Sequence, residues 1–164
     1  MIKKTLIIFT VFILLIIILF STSSFKQDIV VKQNNYTKKP IQIEKNVYKD
    51  RFCNMTIKDI KYSAQVILAN NDTLFFDDIG CLILWMQEQK QKDEMVLWVY
   101  TEDKYIDARK AWYSLDEFTP MRYGFGAYSV KKDGYIDFNT MSKRVLNNET
   151  MANPKTRRHI LGKH

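Results

Sequence analysis

Two short stretches, Cys53-Asn54-Met55 and Thr119-Pro120-Met121, hold the residues whose types and spacing could do chemistry. In Cys53-x-Met55 a thiol and a thioether stand two positions apart. On an extended segment, side chains at i and i+2 point to one side, so both sulfurs could face one ion. Thiolate and thioether ligands select Cu(I). Neither a calcium-binding EF-hand loop nor a zinc spacing competes for the same residues. Cys81 lies in Ile79–Gln91 beside Leu82 and reads as a buried small hydrophobe. A Cys53–Cys81 disulfide is the alternative if the chain is exported. Trp85, Trp98 and Trp112 read as core or interface aromatics.

The rest of the composition excludes much else. Of 164 residues only two are histidine, His159 and His164, both at the far end. A Ser-His-Asp triad, a Cys-His dyad and a His-based zinc or blue-copper site therefore lack their imidazole. Two cysteines cannot build a four-cysteine zinc site or iron–sulfur cluster. The net charge of +7 belongs to the flanks: residues 51–150 carry 13 Lys/Arg against 15 Asp/Glu, while the last 14 residues carry four basic residues and no acid. A nucleic-acid reader concentrates positive charge on its folded face, so no nucleic-acid partner is expected.

The elements that must position the sulfurs follow from the apolar pattern. Thr5 to Phe20 is almost wholly apolar and follows Lys3 and Lys4. Extended through Phe25, it would span about 30 Å as a helix, the thickness of a bilayer core. The preceding lysines favour a cytoplasmic N-terminus and an exported domain. A signal peptide cut after Ser23 is the alternative. Residues 26–50, rich in Lys, Gln and Asn, read as a polar linker, and residues 148–164 as a basic flexible tail.

Between them, Ser63–Ala69 and Thr73–Phe76 read as a hairpin turning at Asn70-Asn71-Asp72. Asp77 or Asp78 then caps a helix over Ile79–Gln91, and Met95–Tyr100 is a further strand. Tyr105–Tyr113 continues as strand or turn. Tyr123–Lys131 and Tyr135–Phe138 flank Lys132-Asp133-Gly134 as a second hairpin. A helix follows over Thr140–Asn147, capped by Asn139. Tyr62 then corresponds to Tyr123 and Asp72 to Asp133, with one sulfur-bearing loop ahead of each hairpin. The expected fold is α+β: an N-terminal membrane helix over residues 1–25, then a small domain of two ββα(β) repeats over residues 51–147.

Cys53-Asn54-Met55, Thr73-Leu74-Phe75-Phe76-Asp77, Tyr105-Ile106-Asp107-Ala108-Arg109-Lys110-Ala111-Trp112-Tyr113 and Thr119-Pro120-Met121 occur in an order and spacing that resembles the NosL-type accessory proteins of nitrous-oxide reductase. That resemblance implies two ββαβ-like repeats, similar to part of the organomercurial lyase. It implies an exported Cu(I)-binding metallochaperone that serves the copper–sulfur site of nitrous-oxide reductase. Carried over, Cys53, Met55 and Met121 are the copper ligands, and Asp107 and Arg109 an ion pair shaping the site. The partners implied are the nitrous-oxide reductase apoprotein or its membrane maturation transporter, with the domain in the periplasm at the inner membrane. Members are often lipoproteins anchored through an N-terminal Cys. No Cys follows the apolar run here, and Thr119 and Arg122 stand where the family has Gly around Pro-Met.

Delivery by ligand exchange needs no catalytic base, so no enzyme activity is expected. Two other functions remain open. A metal-free, membrane-tethered scaffold would hold its cysteines as a disulfide. A carbon–metal bond lyase would require Cys81 to meet Cys53 beside an acid such as Asp77 or Asp78.

Overall fold

The computed structural model describes residues 9, 12–15, 17 and 29–162. Its first sheet has five antiparallel strands in the order β1-β3-β2-β4-β5: Val31–Lys32, Thr73–Phe76, Ala64–Ile67, Val96–Tyr100 and Tyr105–Asp107. The hairpin at Asn70-Asn71-Asp72 forms as its turn residues dictate, with Val66 opposite Leu74 and Asn71 at φ +70°. Alternation then sorts the side chains. Ala64, Val66, Leu74, Phe76, Leu97 and Val99 face the main core. Phe75 faces the other way, into a second core with Ile43, Tyr48 and Ile57.

Helix α1, Ile79–Gln87, covers the main-core face. Asp78 caps it, its carboxylate accepting the Gly80 N–H at 3.0 Å. Ile79, Gly80, Cys81, Leu82, Ile83 and Trp85 are all buried, because α1 is enclosed on several sides. Helix α2, Phe138–Leu146, packs against it, burying Phe138, Met141 and Val145. A second sheet of two-residue strands, β7-β6-β8 (Ala127–Tyr128, Trp112–Tyr113 and Ile136–Asp137), adds Tyr113 to the same core. The Glu117 carboxylate accepts hydrogen bonds from Tyr62, Lys61 and Tyr128, tying the approach to β2 to this second half.

Several expectations are corrected. No helix among the described residues is long and apolar enough to cross a membrane. Residues 9, 12–15 and 17 are helical, and the remainder of the expected 1–25 span lies outside the described residues. The two ββα(β) repeats do not form as a pair of hairpins. β7 and β8 do not pair with each other; each pairs with β6, which lies between them. The Lys132-Asp133-Gly134 turn therefore connects two strands separated by a third. The second helix begins earlier than expected and is capped by Asp137, which accepts the Thr140 N–H at 2.7 Å. Asp107 and Arg109 act at a corner rather than as a pair. Asp107 accepts the Arg109 backbone N–H, while the Arg109 guanidinium donates to the Met95 carbonyl.

The flanks are also more ordered than their composition suggests. Within the presumed tail, Pro154–Leu161 is a helix, α3, capped by Asn153 with Pro at its first turn. Residues 29–50, expected as a linker, lie across the outer face of the first sheet. Gln65 is fully buried there, and its side-chain amide makes both bonds a strand neighbour would make: Nε2 donates to the Ile41 carbonyl at 2.7 Å, and Oε1 accepts the Ile41 N–H at 2.9 Å. The Trp98 indole donates to the Lys38 carbonyl, and the Asn35 amide donates to Thr73. Replacing Gln65 by Leu leaves two backbone groups of Ile41 without partners. The expected cost is about 2–3 kcal/mol in urea unfolding. An unchanged midpoint would mean that the wrap is not held through this residue.

Candidate metal centre

Asp50 ends the wrapping segment. The Arg51 N–H donates to the Phe75 carbonyl at 2.8 Å, which aligns the chain with the end of β3. Asp50 then organises the turn that follows. Its Oδ1 accepts the N–H groups of Phe52 at 2.7 Å and Cys53 at 2.9 Å, an Asx-type turn. Its Oδ2 crosses to the Asp77 N–H at 2.9 Å. Its backbone closes the loop, with Asn54 N–H donating to the Asp50 carbonyl and Asp50 N–H to the Met55 carbonyl. One carboxylate thus pins the Cys53 turn to the junction between β3 and α1.

Cys81 comes from the other side, in the first turn of α1. The donor atoms of Asp50, Cys53, Asp77 and Cys81 all lie within 4.8 Å of one another. Both cysteines are free thiols, and the Cys53 thiol stands 3.9 Å from Asp77 Oδ1. Asp50, Asp77 and Cys81 are buried, and Cys53 is half-buried. The expectation for Cys81 is therefore half the account: it is fully buried core, and its sulfur also belongs to this cluster.

Asp78, the cap of α1, links the second sulfur-bearing loop to the first. Its Oδ2 accepts the Met121 N–H at 3.2 Å, and the Thr119 hydroxyl bonds to it and accepts the Gly124 N–H. Gly80 is required here by space. A Cβ on it would fall 2.2 Å from Tyr123 Cδ2, so the Tyr123 ring lies directly against the turn that carries Cys81.

The three residues assigned as ligands are not equivalent. Asn54 has φ +62°, so Cys53 and Met55 flank a left-handed kink and do not lie on one strand. The same-side argument for their sulfurs fails at that residue. Met55 lines a cavity with Asp77 and Pro120, and Met121 and Cys53 each pack against the main core. Sequence reasoning missed Asp50 altogether and named Asp77 only as a helix cap or an accessory acid. The available signal was the Asp-x-x-Cys spacing of Asp50 and Cys53, suited to a side chain that bonds the backbone just ahead of it.

Crowding acids and thiols in a buried space favours their neutral forms. Burial, a hydrogen bond to Asp50 and the charges of Asp50 and Asp78 raise Asp77 to about 8. Burial raises Asp78 to about 6 against the opposing bonds from Thr119, Gly80 and Met121. Burial raises the Cys53 thiol to about 11, and pushes Cys81 well above the ordinary thiol range. Without a metal the pocket thus favours two thiols and the neutral form of Asp77. No family model, no curated protein and no solved structure matches this chain. The resemblance described above rests on its motifs alone.

The raised Asp77 has a definite sign in stability. Between the unfolded value of about 4 and the folded value of about 8, the folded protein keeps a proton that the unfolded chain has lost. Its contribution to stability is therefore largest in acid and declines as pH rises through that window. Asp77→Asn abolishes the titration. Relative to wild type, metal-free Asp77→Asn should gain in Tm as pH goes from 5 to 8, by roughly 3 °C for each kcal/mol recovered. Parallel Tm curves for the two proteins would show that Asp77 is not held neutral.

Proposed function

We propose that the chain is a metallochaperone that binds one Cu(I) as cargo between the thiolates of Cys53 and Cys81. The observation that supports this reading is the meeting of two free cysteines, from a loop and a helix, in one buried pocket. Thiolates favour Cu(I), and no imidazole is present among the residues that meet there. Binding replaces two S–H protons by one cation: Cu⁺ and two thiols give a bis-thiolate complex and two protons. That complex carries one negative charge, which the neutral carboxyl of Asp77 can solvate by hydrogen bonding to Cys53. On release, an acceptor's sulfur displaces one cysteine at a time, and Asp77 returns a proton to the departing thiolate. The thioether of Met121, in the second sulfur-bearing loop, is the weaker ligand. The acceptor we propose is the copper–sulfur site of nitrous-oxide reductase, on the strength of the motif resemblance.

A Cu(I) competition titration on the full chain tests the site. Cys53→Ser and Cys81→Ser should each nearly abolish tight binding, Met121→Leu should weaken it partially, and Met95→Leu, just ahead of β4, should leave it unchanged. Because two protons leave, apparent affinity should rise roughly 100-fold per pH unit around neutrality, and about tenfold if a single thiolate binds. Wild-type affinity in Cys53→Ser would remove the site.

A second reading draws on the same residues, since two cysteines and an acid around one metal are what carbon–metal bond cleavage requires. Given an organomercury cation, both sulfurs would bind mercury. One displaced proton would pass through Asp77 to the carbon, the carbon–mercury bond would break, the hydrocarbon would leave, and the second proton would be released. Incubation with phenylmercury decides between the two. The chaperone reading expects no benzene above background, and benzene release lost in Asp77→Asn would make the protein an enzyme.

A further inference from the structure

The four residues that meet in the pocket are not equally reachable. Asp50 and Cys81 are fully buried, and Asp77 is 3% exposed. On the α1 side, the Tyr123 ring covers the turn at Gly80, next to Cys81. Beside Asp77 lies a cavity of about 330 Å³ lined by Met55, Thr56, Lys58, Asp59, Asp77 and Pro120. Asp77 therefore belongs both to the cluster and to the cavity wall, and of the four it alone does so. Met55, 41% exposed, stands on the same wall, one residue beyond the left-handed Asn54.

From this arrangement we infer that the cavity is the port through which Cu(I) enters and leaves, and that Met55 is the transfer ligand at its mouth rather than a ligand of the stored ion. The inference rests on the metal-site reading above. An ion arriving through the cavity meets the exposed Met55 thioether first, then the half-buried Cys53, and the fully buried Cys81 last. A thioether suits the first position. It is neutral, needs no deprotonation, and binds Cu(I) weakly enough to release it inward. Cys53 and Cys81 must each lose a proton, so they are slow to capture a free ion and strong once loaded. A ligand that lowers the barrier for entry equally lowers it for exit, so Met55 should change rates and not the equilibrium. The size of the cavity defines the carrier. At the lower end of small-molecule sites, it accommodates Cu(I) carried by a small thiol and not the body of a folded domain.

Stopped-flow transfer of Cu(I) from its glutathione complex to the full chain tests the port, with release to a chelator as the reverse measurement. Met55→Leu keeps the side-chain volume. It should slow loading and release about equally, roughly tenfold each, and change the equilibrium affinity by less than about threefold. Pro120→Trp, at an exposed position, should narrow the cavity and slow both directions while leaving affinity unchanged. Normal rates in both variants would overturn the port. A loss of affinity in Met55→Leu as large as its loss of loading rate would make Met55 a resident ligand and overturn the assignment. Failure of the wild-type chain to take up Cu(I) at all would overturn the metal-site reading itself, and the port with it.

Discussion

The site depends on a buried carboxylate. Asp50 accepts backbone N–H groups from Phe52, Cys53 and Asp77, and so ties the Cys53 turn, where the wrapping segment ends, to the start of α1. A carboxylate removed from water is costly unless its lone pairs are filled, and three amide donors at 2.7–2.9 Å fill them. The same interaction explains why residues 29–50 are folded onto the sheet. Asp50 can reach Asp77 only if the preceding chain runs alongside β3, and Gln65, Trp98 and Thr73 hold it there.

This way of building a pocket has an electrostatic consequence. Asp50, Asp77 and Asp78 are brought close together with two thiols in a space from which water is excluded. Their mutual repulsion and desolvation are resolved without a metal by retaining protons on Asp77, Cys53 and Cys81. A cation offers the other resolution, because it permits the thiolates to form. On the metal-site reading proposed above, protons would stabilise the metal-free pocket and an ion the loaded one, and Asp77 is the group placed to pass a proton between the two states.

Much of the first half of the domain was legible in the amino-acid sequence, and for local reasons. The β2–β3 hairpin is dictated by Asn70-Asn71-Asp72 between two apolar runs, and α1 by an aspartate ahead of a continuous apolar stretch. The second half was not, because its strands are two residues long and their pairing is set by β6, a partner far along the chain from β8. A strong turn at Asp133-Gly134 indicates a reversal of direction and does not say which strands become neighbours. The wrap was misread from composition. Its sign lay instead in Gln65, a polar residue in an otherwise apolar strand, whose amide imitates a peptide group and so marks a sheet face covered by chain. Within the site, the sulfur residues were visible by type, but their grouping was not. An extended Cys-x-Met would put both sulfurs on one side; the positive φ of Asn54 breaks that extension, and the Cys53 thiol meets the side chain of Cys81.

That exchange of partners changes what the pocket can do. Two ligands on one short loop would move together, and an ion held by them would be released only when the loop moved. Cys53 and Cys81 are mounted differently. Cys81 is fixed in the first turn of a helix buried among Ile79, Leu82 and Ile83, while Cys53 is half-buried on a turn held mainly through the side chain of one residue. A rigid ligand opposite a more accessible one gives an order to ligand exchange. On the chaperone reading proposed above, the accessible sulfur would be displaced first while the buried one retains the ion, so the cargo would not need to pass through a free state between donor and acceptor.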